Sequence, residues 1–150
     1  MDDQTGMKRL VAVSNRLPIV LEKGESGWEI KPGSGGLVTA LAPVLRSRGG
    51  LWIGWPGTTE KLDFERLAGD HADYGLVPVR LTGEDVRGFY DGFSNEIIWP
   101  LFHDLQDRCR FEPRYWDHYL RVNSKFAEVI AGKTEPDDYL WIQDYHLMHV

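Results

Sequence analysis

Leu10-Val11-Ala12-Val13-Ser14-Asn15-Arg16 is followed, after a short excursion, by Gly33-Ser34-Gly35-Gly36-Leu37. The first stretch reads as a buried strand and the second as the opening of an apolar helix, the pattern that begins an open α/β sheet. In such sheets ligands collect just beyond the carboxyl ends of the strands, and Arg16 stands at such an end. Two glycines at a helix start leave backbone N–H groups unshielded at the positive end of the helix dipole. A fixed cation beside that helix suits a phosphorylated ligand held without a metal. A surface arginine beside an ordinary helix-start turn is the plainer alternative, since the full G-x-G-x-x-G dinucleotide fingerprint is absent.

Outward from this stretch, strands and helices alternate. Residues 9–15 are expected as a buried strand, and 19–22 and 28–31 as a β-hairpin around a Gly-containing turn. Leu37, Leu41, Val44 and Leu45 set a helix from Gly35 to about Arg48, stopped by Gly49-Gly50 and disturbed by Pro43. Residues 51–55 and 74–81 read as further strands, and 58–73 as a polar connection. Thr82-Gly83-Glu84-Asp85 is a capped helix entry leading into aromatic-rich helical pieces that end near Pro100. Trp116, Tyr119, Leu120, Phe126, Ala127 and Ile130 mark one face of a helix over 113–131. Residues 139–142 read as a last buried strand, running into Gln143-Asp144-Tyr145-His146. The expected class is therefore α/β, a Rossmann-like, doubly wound, mostly parallel sheet with an N-terminal β-hairpin.

Composition narrows the function. The 150 residues carry a net charge of −6, which argues against nucleic acid and against an anionic membrane surface. The single Cys109 rules out an internal disulfide and suits the cytoplasm. Neither an apolar signal region nor a run of membrane-spanning length is found. Six Trp, six Tyr and six Phe, many beside Gly, Asn or Asp, suit a carbohydrate site, although filling the core is the simpler use for most of them.

Two further groups can carry chemistry. In the segment from Gly88 to Asn95, followed by Ile97-Ile98-Trp99-Pro100, Tyr90 offers a phenol to a phosphate and Trp99 a flat wall to a hexose. The alternative is an aromatic helix packed on the sheet, and Phe89 and Phe93 fit it. Asp144, at a strand's carboxyl end, could orient a sugar hydroxyl or cap the next helix. With His146 it makes only two metal ligands, too few for a site. Gln143 is expected on the face opposite Asp144 by strand alternation.

Six blocks in order resemble the trehalose-6-phosphate synthase family of retaining glycosyltransferases. They are residues 13–18, Ser34-Gly35-Gly36-Leu37, residues 51–57, the run from Tyr90 through Trp99-Pro100, residues 119–123 and Asp144-Tyr145-His146-Leu147. The resemblance covers nearly the whole chain from residue 8. It implies a two-lobed GT-B fold in which residues 8–150 form a truncated N-terminal, acceptor-binding lobe, with the C-terminal donor lobe absent and residues 1–7 a disordered tail. It further implies that Arg16 and Tyr90 bind the phosphate of glucose 6-phosphate. Trp55 and Trp99 would wall its sugar, and Asp144 would take a hydroxyl. Gly35 and Gly36 would approach the diphosphate of UDP-glucose. Transfer would proceed with retention and without a metal or other cofactor, by attack on the face that the diphosphate leaves. No catalytic residue is assigned within the chain, because the family's catalytic His and its donor-gripping Arg and Lys would lie past Val150. The isolated chain is accordingly expected not to turn over.

The resemblance leaves room for a homo-oligomer. The other readings are a sister transferase using glycerol 3-phosphate or a pseudo-sugar, and a non-catalytic sugar-phosphate-binding regulatory lobe. A nicotinamide-dependent dehydrogenase fails on the missing glycine fingerprint and ribose-binding acid.

Overall fold

The computed structural model describes residues 8–25, 27–69 and 73–150, and the expected tail over 1–7 lies outside them. Four parallel strands, β1 (Leu10–Arg16), β4 (Leu51–Trp55), β5 (Gly75–Pro78) and β6 (Tyr139–Ile142), form one sheet in the order β5-β4-β1-β6. An antiparallel hairpin, β2 (Ile19–Gly24) and β3 (Gly27–Pro32), is inserted directly after β1. The expected α/β architecture with its hairpin is the one observed.

β1 alternates its apolar side chains between two cores. Val11 and Val13 join Ile53, Phe89, Tyr119, Val122 and Phe126 on one face. Leu10 and Ala12 join Leu41, Leu45, Trp52, Phe64 and the hairpin's Ile19 and Ile30 on the other. A parallel strand covered on both faces must be apolar at nearly every position, which is why this stretch of sequence is so legible. The helix α1 (Gly36–Arg48) covers the second face. It ends at Gly49, whose φ of 62° turns the chain back so that the Gly50 N–H also reaches the Leu45 carbonyl at 2.9 Å. The first face is covered by α5 (Pro113–Ala131) and by a helical run over 83–102. Most of the aromatics serve these cores, Trp52, Phe89, Tyr119 and Phe126 being almost fully buried.

Several expectations need correction. The polar connection contains a short helix, α2 (Phe64–Ala68), capped by Asp63 and anchored by buried Phe64. The strand expected over 74–81 is only Gly75–Pro78 long, with one further bond to β4 from the Val79 N–H to the Gly54 carbonyl at 2.8 Å. The helical pieces expected to end near Pro100 do end there, at Phe102, but they form one continuous run. It begins as α3 (Gly83–Asp85), continues as a π-helix (Val86–Ile98) and finishes as α4 (Trp99–Phe102). Gly88 and Gly92 let α5 pack closely against this run, since a Cβ would fall 2.2 Å from the His118 ring and 2.6 Å from the Tyr115 ring. Trp116, expected on the buried face of α5, is 42% exposed. Finally β6, expected to be buried, is an edge strand with Tyr139, Leu140 and Trp141 at 58%, 41% and 46% exposure. Its apolar run has a partner in β1 but no covering layer among the described residues.

Candidate functional site

The chain runs outward from β1 through β4 to β5, then returns to the other side of β1 as β6. The connections after β1 and after β6 therefore diverge, and a crevice opens between the carboxyl ends of those two strands. A hollow of about 670 Å³ occupies it, lined by Ser14, Asn15 and Arg16 after β1, Gly33, Ser34 and Leu37 before and at the start of α1, Tyr90 of the π-helix, and Gln143, Asp144 and His146 after β6.

Arg16 is aimed by local irregularity. The pairing of β1 with β4 shifts between Val13 and Arg16, a bulge that turns the strand's end. Ser14 supports it, its hydroxyl donating to the Arg16 carbonyl at 2.6 Å and accepting from the Trp52 indole at 2.8 Å. Gly54 must be glycine for this, since a Cβ there would fall 2.8 Å from the Leu17 nitrogen and 2.9 Å from the Ser14 oxygen. The guanidinium lies 4.9 Å from the centroid of the Trp55 ring. It also lies against Gly57, where a Cβ would fall 2.2 Å from Nη2 and where φ is +92°. No carboxylate pairs with Arg16 among the described residues. It is a held cation without a counter-ion.

On the opposite wall, Asp144 is an exposed residue with φ 74° and ψ 165°, a region essentially reserved for glycine. Its Oδ1 accepts from the Tyr145 N–H at 2.7 Å, capping the short 3-10 turn Tyr145–Leu147, and its Oδ2 lies 4.0 Å from His146 Nδ1. His146 is buried and stacked between Tyr145 and Tyr90, at 4.2 and 5.6 Å between ring centroids. Burial pushes its imidazole below the ordinary histidine range, against the pull of Asp144. Asn15 Oδ1, Gln143 Nε2 and both His146 ring nitrogens are buried without a hydrogen-bond partner. Unpaired buried polar atoms are costly, so their gathering at one hollow marks it as built for a polar occupant.

The expected site residues divide. Arg16, Tyr90 and Asp144 share the hollow. Trp55 does not line it; the ring is 6% exposed, packed beneath Arg16 and 6.5 Å from Tyr90, with its N–H donating to the Thr58 carbonyl. Trp99 does not line it either. It is 41% exposed and stacked on His103 at 4.1 Å. Nine residues separate it from Tyr90, about two turns at the wide pitch of a π-helix, which keeps the two rings on one side of the run. Gly35 and Gly36 stand beside the hollow, with nothing within 4 Å of where either Cβ would be, so the uncapped first turn of α1 is open to approach.

Asn15, Gly57, Gln143 and His146 were not expected at the site. Asn15 and Gly57 sit inside quoted blocks beside Arg16 and Trp55, which is the signal that could have found them. Gln143 was placed on the far face by alternation, but β6 stops at Ile142 and the chain turns, bringing Gln143 to the hollow beside Asp144. No group of three or more His, Cys, Asp or Glu side chains is arranged to hold a metal among the described residues, and none of the described helices is long and apolar enough to cross a membrane.

The family model described as Glycosyltransferase family 20 matches residues 8–150. The trehalose-6-phosphate synthase of Mycolicibacterium vanbaalenii is 43% identical over 151 residues, covering 98% of this chain and 31% of its own length. A solved E. coli structure described as bound with UDP-2-fluoro glucose superposes with a TM-score of 0.72 at 33% identity, over 93% of this chain and 28% of that one. An α,α-trehalose-phosphate synthase (UDP-forming) from Burkholderia xenovorans, solved in complex with glucose-6-phosphate, gives 0.66 at 30% identity, over 93% and 29%. The chain thus spans about a third of the length of the curated relatives it matches.

Proposed function

The chain belongs to glycosyltransferase family 20, and from that premise we propose that its hollow holds the phosphorylated hexose acceptor of a retaining glucosyl transfer, from UDP-glucose to glucose 6-phosphate, yielding trehalose 6-phosphate. The observation that carries this reading is Arg16, a guanidinium set against Trp55 and Gly57 at the switch-point crevice, with no acid among the described residues to neutralise it. A dianionic phosphate is the natural counter-ion, with the Tyr90 phenol as a second donor. Asn15, Gln143, Asp144 and His146 offer acceptors and donors suited to the hydroxyls of a sugar rather than to a bare anion. The Burkholderia xenovorans relative solved with glucose-6-phosphate supports the choice of acceptor.

Residues 8–150 form the acceptor lobe in this proposal, and the grip on the donor's nucleotide comes from outside them. Within them, the open first turn of α1 at Gly35 and Gly36 faces the donor diphosphate. Its N–H groups and dipole stabilise charge as the diphosphate departs. These groups and Arg16 supply positive charge without a metal. Trp99, on the same side of the helical run as Tyr90, forms an outer apolar wall for the sugars. A cytoplasmic setting fits the single free Cys109.

The test is an assay of the polypeptide at its full encoded length with UDP-glucose and either glucose 6-phosphate or glycerol 3-phosphate. Trehalose 6-phosphate formed from the first, and lost on Arg16→Ala, upholds the reading. Preference for glycerol 3-phosphate moves the chain to a sister transferase. Binding of glucose 6-phosphate without turnover makes it a sensor.

A further inference from the structure

The block Tyr119-Leu120-Arg121-Val122-Asn123 lies on α5, outside the hollow, yet its polar side chains reach the turn after β6 and the head of the run that bears Tyr90. The Tyr119 hydroxyl donates to the Tyr145 carbonyl at 2.8 Å and accepts from the Met148 N–H at 3.1 Å. Asn123 Nδ2 donates to the Tyr119 carbonyl at 2.9 Å and to the His146 carbonyl at 3.1 Å, while its Oδ1 accepts from the His149 N–H at 3.0 Å. Both side chains are buried, Tyr119 at 1% and Asn123 at 0% exposure. Two buried residues, four apart on one helix face, thus bond the backbone at residues 145, 146, 148 and 149.

Two residues along the helix is more than half a turn, so Arg121 and Lys125 point elsewhere. Arg121 Nε donates to Asp85 Oδ1 at 3.1 Å, and Lys125 donates to Asp85 Oδ2. Asp85 forms a reciprocal capping box with Thr82 at the head of the run that carries Tyr90. One helix is therefore tied to the two elements that bear Tyr90 on one side and Asp144 with His146 on the other.

Packing alone does not require these polar groups. The Tyr119 ring already contacts Phe89, Phe93 and Trp116, and a phenylalanine would fill the same space. Among the described residues, both hydrogen bonds of its hydroxyl go to the turn. That turn needs holding, because the Asp144 backbone sits where a side chain costs about 1–3 kcal/mol, and such conformations persist only when their surroundings over-determine them.

We propose that Tyr119 and Asn123 are positioning residues that clamp the turn after β6, so that Asp144 keeps its strained backbone and His146 its stack against Tyr90 at the hollow. Arg121 and Lys125 hold the run that bears Tyr90 in register through Asp85. The importance of this for binding rests on the sugar-phosphate reading of the hollow; the clamp itself does not.

The experiment compares Tyr119→Phe with Asp138→Asn in the full-length polypeptide. Asp138 bonds Arg9 ahead of β6, away from the hollow, so its variant serves as a control that loses stability only. Glucose 6-phosphate affinity is measured by calorimetry at a temperature where both variants are folded, and the His146 imidazole is titrated by NMR. Asp144, Tyr90 and Tyr145 surround that imidazole, and Arg16 lines the same hollow. Tyr119→Phe should weaken affinity about five- to thirtyfold, the worth of one or two buried hydrogen bonds. It should also move the His146 midpoint up toward the ordinary value, while Asp138→Asn changes neither. Equal affinities together with an unmoved midpoint overturn the clamp. If the parent binds no glucose 6-phosphate, the sugar-phosphate reading fails, and the midpoint alone decides the clamp, upheld by a rise and overturned by none. Should Tyr119→Phe not fold, Asn123→Ser is put through the same measurements with the same criteria.

Discussion

β1 and β6 both end at the hollow, but they arrive there differently. β1 lies between β4 and β6 with both faces in a core, and its end is aimed by a bulge, a glycine and an indole. β6 has one neighbour and a largely exposed face, and the turn that follows it is held by side chains reaching over from α5. The first wall is placed mainly by packing, with Ser14 bonding Arg16 and Trp52 beneath it, and the second by hydrogen bonds from α5. Packing is non-directional and tolerates polar neglect, whereas a hydrogen-bonded turn depends on each donor and acceptor, so damage to the two walls should look different.

The largest difference should be in stability. Ile53→Ala, beside β1 in the core, should cost about 2–5 kcal/mol in urea unfolding, while Leu140→Ala on β6 should cost less than about 1. Equal losses would erase the contrast between the strands. Next comes the ligand: Arg16→Ala should weaken glucose 6-phosphate by about 1.5–3 kcal/mol in calorimetry while leaving the melting temperature nearly unchanged. Gly57→Ala sharpens this, since its methyl group would occupy the place of the guanidinium and reproduce much of the loss with Arg16 still present.

Acid should act on the strut between the walls. Burial by itself pushes the Asp85 carboxyl up, but the hydrogen bonds from Lys125 and Thr82 outweigh it and hold the group at about 2. A carboxylate whose folded value lies below its unfolded one contributes stability above the unfolded value and loses it as pH falls. About 2 kcal/mol should therefore disappear between about pH 5 and pH 2, and this acid-sensitive part should be missing in Asp85→Asn, which is less stable at neutral pH. An unchanged pH slope would remove Asp85 from the strut. The smallest effect has the opposite sign. Asp144→Gly should raise stability by about 1 kcal/mol by relieving the strained backbone, yet weaken the acceptor, separating a residue kept for its chemistry from one kept for folding.

The sequence by itself determined the alternation of strands and helices in a mostly parallel sheet, the hairpin, α5 from Pro113 to Ala131 and the sharing of one crevice by Arg16, Tyr90 and Asp144. These follow from periodicity in doubly covered strands, from capping residues and from the resemblance of six blocks. The tertiary structure alone decided that Trp55 supports Arg16 from beneath, that Gln143 and His146 join the hollow and that Tyr119 and Asn123 hold its far wall. It also revealed the π-helix and the close approach of α5 to it, in which Gly88 and Gly92 meet the rings of His118 and Tyr115. Periodicity reports which side of an element faces a core, because burial repeats with the backbone. A hydrogen bond between α5 and the turn after β6 leaves no such repeat: it is a single contact between residues over twenty positions apart, and only the packed chain brings donor and acceptor together.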